Sequence, residues 1–180
     1  MTIPNFLSLT RILLSPLLVW FLFKSRFGEA LVVFSVAGAT DALDGFSARL
    51  LHQKSKLGTY LDPLADKLLL VSSFVMLGCM GILPKWLMML IVSRDTIILL
   101  GIIGLIHQQI KMEICPSLLG KLSTFLQILT VFASLGGQLV AVPGEIKQGL
   151  YFATAFFCVA SGLQYIHRGI YLWRGHKACG

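Results

Sequence analysis

Four carboxylates, Asp41, Asp44, Asp62 and Asp66, stand close together in a chain of 180 residues that has only eight acidic side chains. Asp41 and Asp44 are three apart and Asp62 and Asp66 four apart, so on helices each pair shares one face. The link between Leu50 and Tyr60 lets two helices return antiparallel, with the two pairs facing each other. Four carboxylates in one small volume cannot all stay ionised without cations. Oxygen-only ligands suit Mg²⁺ or Mn²⁺ rather than zinc. Paired carboxylates can hold two such ions about 4 Å apart across a transferring phosphoryl group. Helix capping or solvated loop charge accounts for one or two of these residues. It does not account for four at helical spacing beside apolar stretches, where a carboxylate costs up to about 3 kcal/mol.

The elements that must carry them are apolar. The chain is 56% hydrophobic and 13% charged, with a mean hydropathy of +0.82, whereas soluble domains carry about 25% charged residues. With about 20 apolar residues needed to cross the hydrocarbon core, the length predicts an all-α integral membrane protein of six transmembrane helices. They are expected at 5–24, 29–50, 60–82, 84–107, 117–140 and 145–172, forming one membrane domain over residues 1–180. The first apolar run is too long for a signal peptide and lacks a small-residue cleavage site, so it reads as a retained helix. Gly45, Ala48 and Gly58 around the acids leave room for close backbone approach by a ligand, or equally for tight helix packing. Arg49 can pair with an acid or hold a phosphate.

Charge also sets the expected orientation. With the N-terminus inside, nine bases (Arg11, Arg49, Lys54, Lys56, Lys111, Lys121, Arg168, Arg174 and Lys177) fall at cytoplasmic ends. Four (Lys24, Arg26, Lys85 and Lys147) fall at the other side. The positive-inside rule then places both termini and the acidic loop in the cytoplasm. The net charge of +7 is spread thinly, without a basic block or aromatic interleaving, which argues against nucleic acid as a partner. The four cysteines show no metal or disulfide spacing, and the four histidines carry no ligand pattern. A small cation transporter would also gather intramembrane acids, but along a path through the bilayer rather than at one end. A purely structural subunit leaves the acids unexplained.

Asp41-x-x-Asp44-Gly45-x-x-Ala48-Arg49, followed after eight residues by Gly58-x-x-x-Asp62-x-x-x-Asp66, resembles the full signature of the CDP-alcohol phosphatidyltransferase family. All eight positions match, and the six-helix layout is similar over essentially the whole chain. The resemblance implies an integral membrane enzyme, expected in a bacterial cytoplasmic membrane with its site facing the cytoplasm. Its donor would be CDP-diacylglycerol, attacked by a hydroxyl acceptor with loss of CMP. Carried over residue by residue, Asp41, Asp44, Asp62 and Asp66 would hold two Mg²⁺ or Mn²⁺ ions. Asp66 would also be the catalytic base, and Gly45, Ala48, Arg49 and Gly58 would line the CDP site.

"IPNFLSLTR" at 3–11, "LDPLADK" at 61–67, "SRD" at 93–95 and "GKLSTFLQ" at 120–127 resemble the branch of that family whose acceptor is glycerol 3-phosphate. That acceptor is the first expectation. Asp95 stands where that branch more often has Glu, and the branch that accepts phosphatidylglycerol is the alternative. Arg94 and Lys121 are the expected acceptor-phosphate residues, because a buried guanidinium facing a cavity is an anion site. The competing role for Arg94 is an ion pair with Asp95 or with the acidic cluster. Membrane lipids and a second copy of the chain, as a homodimer, complete the expected partners.

Overall fold

A computed structural model describes the backbone of residues 3–51, 58–107, 118–140 and 142–173, and the side chains of 10–40, 67–101, 118–140 and 142–167. Six helices follow in order: α1 (Ile3–Phe23), α2 (Phe27–Leu51), α3 (Gly58–Cys79), α4 (Lys85–His107), α5 (Leu118–Gly136) and α6 (Gly144–Trp173). Each stretch expected to be helical is so. The largest difference is at α5, which stops at Gly136 instead of 140. Gly136-Gly137 ends it: the Gly137 and Val140 amides donate to the Ala133 and Gly136 carbonyls in a closing turn, and paired glycines favour that departure.

The chain divides into two units, Met1–Leu83 with Val131–Val142 and Pro84–Thr130 with Pro143–Gly180. In the first, α1 packs against both α2 and α3. Leu18 and Leu22 of α1, Ala30, Phe34 and Ala37 of α2, and Leu70, Phe74 and Leu77 of α3 are buried. Their three- and four-residue spacing makes one apolar stripe per helix. Phe34 meets Phe132 edge to face at 5.2 Å. Pro16 lies inside α1, where it removes a backbone donor. Beside it the Ser15 hydroxyl donates to the Arg11 carbonyl at 3.1 Å.

In the second unit α4 packs on α6. Trp86 stacks on Phe152 with centroids 5.8 Å apart, and about two turns further along both helices Arg94 meets Ser161. Contacts that advance together mean that α4 and α6 run parallel. Thr130 of α5 meets Thr154 of α6 at 2.8 Å.

Polarity is inverted relative to a water-soluble bundle. On α5, Leu118, Leu122, Phe125 and Leu129 are exposed, whereas Ser123, Gln127 and Thr130 are buried. On α6, Phe152, Phe156 and Leu163 are exposed while Thr154 and Ser161 are buried. Leu118–Gly136 and Gly144–His167 are long and apolar enough to cross a membrane, and Thr10–Phe23, Phe27–Thr40 and Lys67–Cys79 are shorter apolar helices.

Two helix ends close by the same device. After α1, Arg26 N–H donates to Phe21 C=O and Ser25 N–H to Leu22 C=O. After α3, Ile82 donates to Leu77 and Gly81 to Gly78. This doubly bonded C-terminal motif requires a left-handed residue at its corner. Ser25 takes φ 56° and Gly81 φ 73°, so Ser25 carries a Cβ penalty that Gly81 avoids. Ser25→Gly is therefore expected to stabilise the protein by about 1 kcal/mol and Gly81→Ala to destabilise it by about 1 kcal/mol. Thermal unfolding in detergent reads both. Shifts of the same sign would show that this geometry is absent at one of the corners.

Candidate functional site

The acid-bearing segment is helical on both sides of its loop. Asp41, Asp44, Gly45, Ala48 and Arg49 lie in the last turns of α2, and Gly58, Asp62 and Asp66 in the first turns of α3. The backbone thus keeps the three- and four-residue spacings on continuous helices, each pair on one face of its helix. The side chains of all eight residues lie outside the described ones. Among the described residues no group of three or more His, Cys, Asp or Glu side chains is found.

Helix α1 is the common neighbour of these two helices, and it contributes a residue that the sequence reading used only for orientation. Arg11 is buried, with 1% of its surface exposed. A guanidinium among apolar helices must be neutralised, and α1 stands against the two helices that hold the acids. The available signal was its place within an apolar run, three residues before Leu14 and four before Ser15.

Arg94 is the best-defined charged group in the second unit. It and Asp95 are both buried. Its Nη1 donates to Asp95 Oδ1 at 2.5 Å, and its Nη2 donates to Ser161 Oγ on α6 at 2.6 Å. The guanidinium lies 6.0 Å from the centre of the Tyr165 ring, within cation–π range. A Cβ added to Gly162 would come within 3.3 Å of the Arg94 Cγ, so the glycine makes room for the arginine stem. Arg94 Nε is buried without a hydrogen-bond partner. The ion pair with Asp95, one of the two roles open for Arg94, is present.

Lys121 lies elsewhere on the unit. It is exposed and lines an open groove with Leu118, Leu119, Leu122 and Phe125. Arg94 does not line that groove. Of the two residues expected at the acceptor phosphate, Arg94 is thus buried and Lys121 is exposed beside apolar side chains.

Ser123 and Gln127 entered the sequence reading only as part of the branch motif at 120–127. Both are fully buried, and Ser123 Oγ and both amide atoms of Gln127 have no hydrogen-bond partner. Thr130, on the same stripe, is satisfied by the Leu126 carbonyl and Thr154. The recurrence of Ser123, Gln127, Thr130 and Ser134 at helical spacing was the signal that marks this face.

Comparison with known proteins bears on the same segments. The CDP-alcohol phosphatidyltransferase family matches residues 1–165. Cardiolipin synthase (CMP-forming) of Rattus norvegicus is 36% identical over 93% of this chain and 61% of its own length. Cardiolipin synthase (CMP-forming) of Streptomyces coelicolor is 37% identical over 69% of this chain and 60% of its own. The CDP-diacylglycerol–glycerol-3-phosphate 3-phosphatidyltransferase of Aquifex aeolicus is 35% identical over 74% of this chain and 75% of its own. The chain thus spans about three fifths of the length of the two cardiolipin synthases.

Breaking the Arg94–Asp95 pair leaves a buried charge uncompensated. Asp95→Asn is expected to destabilise the protein by about 3–5 kcal/mol, and Ser161→Ala by about 1.5–3 kcal/mol through loss of one charge-assisted hydrogen bond. Unfolding in detergent orders the two. A larger loss for Ser161→Ala would show that Asp95 is not the principal counter-charge.

Proposed function

The chain belongs to the CDP-alcohol phosphatidyltransferase family, and from that premise we propose that it transfers a phosphatidyl group from CDP-diacylglycerol to the hydroxyl of a phosphate-bearing glycerol unit. The observation that carries this reading is the pair of acid-bearing helix ends, α2 and α3, with their spacings kept on continuous helices against α1. The outward apolar faces of α5 and α6 support a membrane setting. The six-span arrangement with both termini in the cytoplasm belongs to the same proposal.

The donor set fits a divalent ion: four carboxylates at helical spacing offer only oxygen, as Mg²⁺ or Mn²⁺ prefers. Asp41, Asp44, Asp62 and Asp66 would hold two such ions, which when bound neutralise the diphosphate and stabilise the departing CMP. Asp66 takes the proton of the acceptor hydroxyl. The hydroxyl oxygen forms its bond to the phosphorus that carries the diacylglycerol, and the bond from that phosphorus to the CMP oxygen breaks, its electron pair leaving with CMP. Gly45, Ala48, Arg49 and Gly58 line the nucleotide side.

Two acceptors present the same glycerol unit. Phosphatidylglycerol is favoured by the relatives named cardiolipin synthase, one of which matches over 93% of this chain. The charge on Arg94 agrees: the Asp95 carboxylate already offsets part of it, which suits a monoanionic diester better than a dianionic monoester. Glycerol 3-phosphate, the first expectation from sequence, is favoured by the Aquifex aeolicus relative, which is covered over 75% of its own length.

Chelation is expected to abolish CMP release, with Mg²⁺ or Mn²⁺ restoring it, and Asp44→Asn to remain inactive at any metal concentration. Asp66→Asn is expected to lose turnover but keep CDP-diacylglycerol affinity, because three acids still hold metal. Equal loss of nucleotide affinity in both variants would make Asp66 chiefly a ligand.

For the acceptor, purified protein with CDP-diacylglycerol is offered phosphatidylglycerol and glycerol 3-phosphate together, and the lipid products are identified. Cardiolipin with stoichiometric CMP is the expected result. Phosphatidylglycerophosphate alone would establish the second reading, and absence of any phosphatidyl product would overturn both.

A further inference from the structure

Each helix of the first unit carries one buried stripe, and all three stripes reach a charged position after the same interval. On α1 the stripe runs Leu22, Leu18, Ser15 and Arg11, all buried. On α2 it runs Ala30, Phe34 and Ala37, and on α3 Leu77, Phe74 and Leu70. One more step of four residues takes the α2 stripe to Asp41 and the α3 stripe to Asp66. Leu22 to Arg11, Ala30 to Asp41 and Leu77 to Asp66 are each eleven residues, about three helical turns or about 16 Å. Each charged position therefore lies on the face of its helix that the apolar stripe occupies.

Chain connectivity sets the three positions side by side. Only Lys24, Ser25 and Arg26 link α1 to α2, a reach of about 15 Å at most. Two long helices so joined and in contact must run antiparallel. Arg11 stands twelve residues before the end of α1 at Phe23, and Asp41 fourteen after the start of α2 at Phe27. Their heights differ by about 3 Å, well within the length of an arginine side chain. Helix α2 thus ends where α1 begins, and the link from Leu51 to Gly58 reaches about 25 Å at most. To pack on α1, α3 must run parallel to it. Arg11 and Asp66 each lie eight residues into their helices.

A buried guanidinium needs negative charge beside it. The first unit has five acidic residues, Glu29, Asp41, Asp44, Asp62 and Asp66. Glu29 pairs with the exposed Arg26 at the far end of α2. The four signature acids remain, and the stripes bring Asp41 and Asp66 to the level of Arg11. A guanidinium carries five N–H donors in a planar fork, enough to hold carboxylates on two neighbouring helices at once.

We propose that Arg11 is the built-in counter-cation of the acid cluster, a positioning residue that holds Asp41 and Asp66 and keeps the carboxylates in place until divalent ions bind; the proposal rests on the metal-dependent phosphatidyl-transfer reading above. Without ions, four like charges on two helix ends repel each other, and Arg11 offsets part of that repulsion. Bound ions take over the neutralisation, and the contribution of Arg11 to stability then falls.

The test is thermal unfolding in detergent of wild-type protein, Arg11→Met and Arg11→Lys, each with EDTA and with saturating Mn²⁺. In EDTA, Arg11→Met is expected to melt about 10 °C below wild type. Mn²⁺ should recover about half or more of that loss, because ligand binding stabilises the folded state. Arg11→Lys keeps the charge and should lose less. Removing a cation from beside the ions should also let Arg11→Met bind Mn²⁺ about threefold or more tightly, read by electron paramagnetic resonance with the metal alone. A double-mutant cycle isolates the pairing: in EDTA, Asp66→Asn should raise the melting temperature of Arg11→Met and not that of wild type.

Losses of equal size with and without Mn²⁺, or an equal effect of Asp66→Asn in both backgrounds, would overturn the proposal and leave Arg11 a packing residue. If Arg11→Met does not fold, Arg11→Lys and its double variant with Asp66→Asn decide by the same two comparisons. Failure of the underlying reading looks different: Mn²⁺ then neither binds nor stabilises wild-type protein, and the counter-cation falls with it.

Discussion

A charge held among apolar helices must be neutralised where it stands, and this chain places its chemistry under that constraint. Moving a carboxylate or guanidinium out of water costs several kcal/mol even after relaxation. The second unit meets the cost within the protein, by setting Arg94 against Asp95 and Ser161. The first unit carries four carboxylates on α2 and α3, and the proposed cations would meet the cost from outside the chain. Where charge is neutralised internally, structure results; where it waits for an ion, a site results. Arg11, buried on the helix that touches both acid-bearing helices, belongs to the same balance.

The polar faces of the second unit extend that logic to neutral groups. Thr130 and Thr154 satisfy each other and close the α5–α6 contact. Ser123 and Gln127 continue the stripe without partners. Lys121 lies on the opposite side of α5, among Leu118, Leu122 and Phe125. There its apolar stem matches the surroundings. One helix thus separates an inward hydrogen-bonding face from an outward lipid-like one.

Much of this was legible in the sequence. Six apolar runs broken by Lys24-Ser25-Arg26, Pro84-Lys85 and Pro143-Gly144 marked the six helices, because breakers and hydropathy act locally. The acidic signature was legible because four charges in an apolar chain are conspicuous. Arg94 was readable only as a choice between two roles. Adjacent residues on a helix do not face each other, and only the long arginine side chain lets it hold both its neighbour and Ser161, 67 residues away. Ser123 and Gln127 were read only as letters of the motif at 120–127, because single Ser and Gln residues are unremarkable in an apolar helix. Their meaning depends on whether the neighbouring helix supplies partners. The fold of the helix ends was similarly hidden: nothing in Ser25 marks it for the left-handed corner that Gly81 occupies without strain.

The position of Arg94 is over-determined. Asp95 holds one terminal nitrogen, Ser161 holds the other, Gly162 leaves room for the stem, and Tyr165 lies beside the guanidinium plane. A glutamate at 95 would carry its carboxylate about 1.5 Å further from the backbone, and Nη1 would have to follow it while Nη2 remained tied to α6. The shorter aspartate keeps both partners in reach of one fixed guanidinium. A cation fixed and half neutralised in this way offers a directed N–H more than a free positive charge. Buried polar atoms without partners lie in the same unit, on Ser123 and Gln127 of α5.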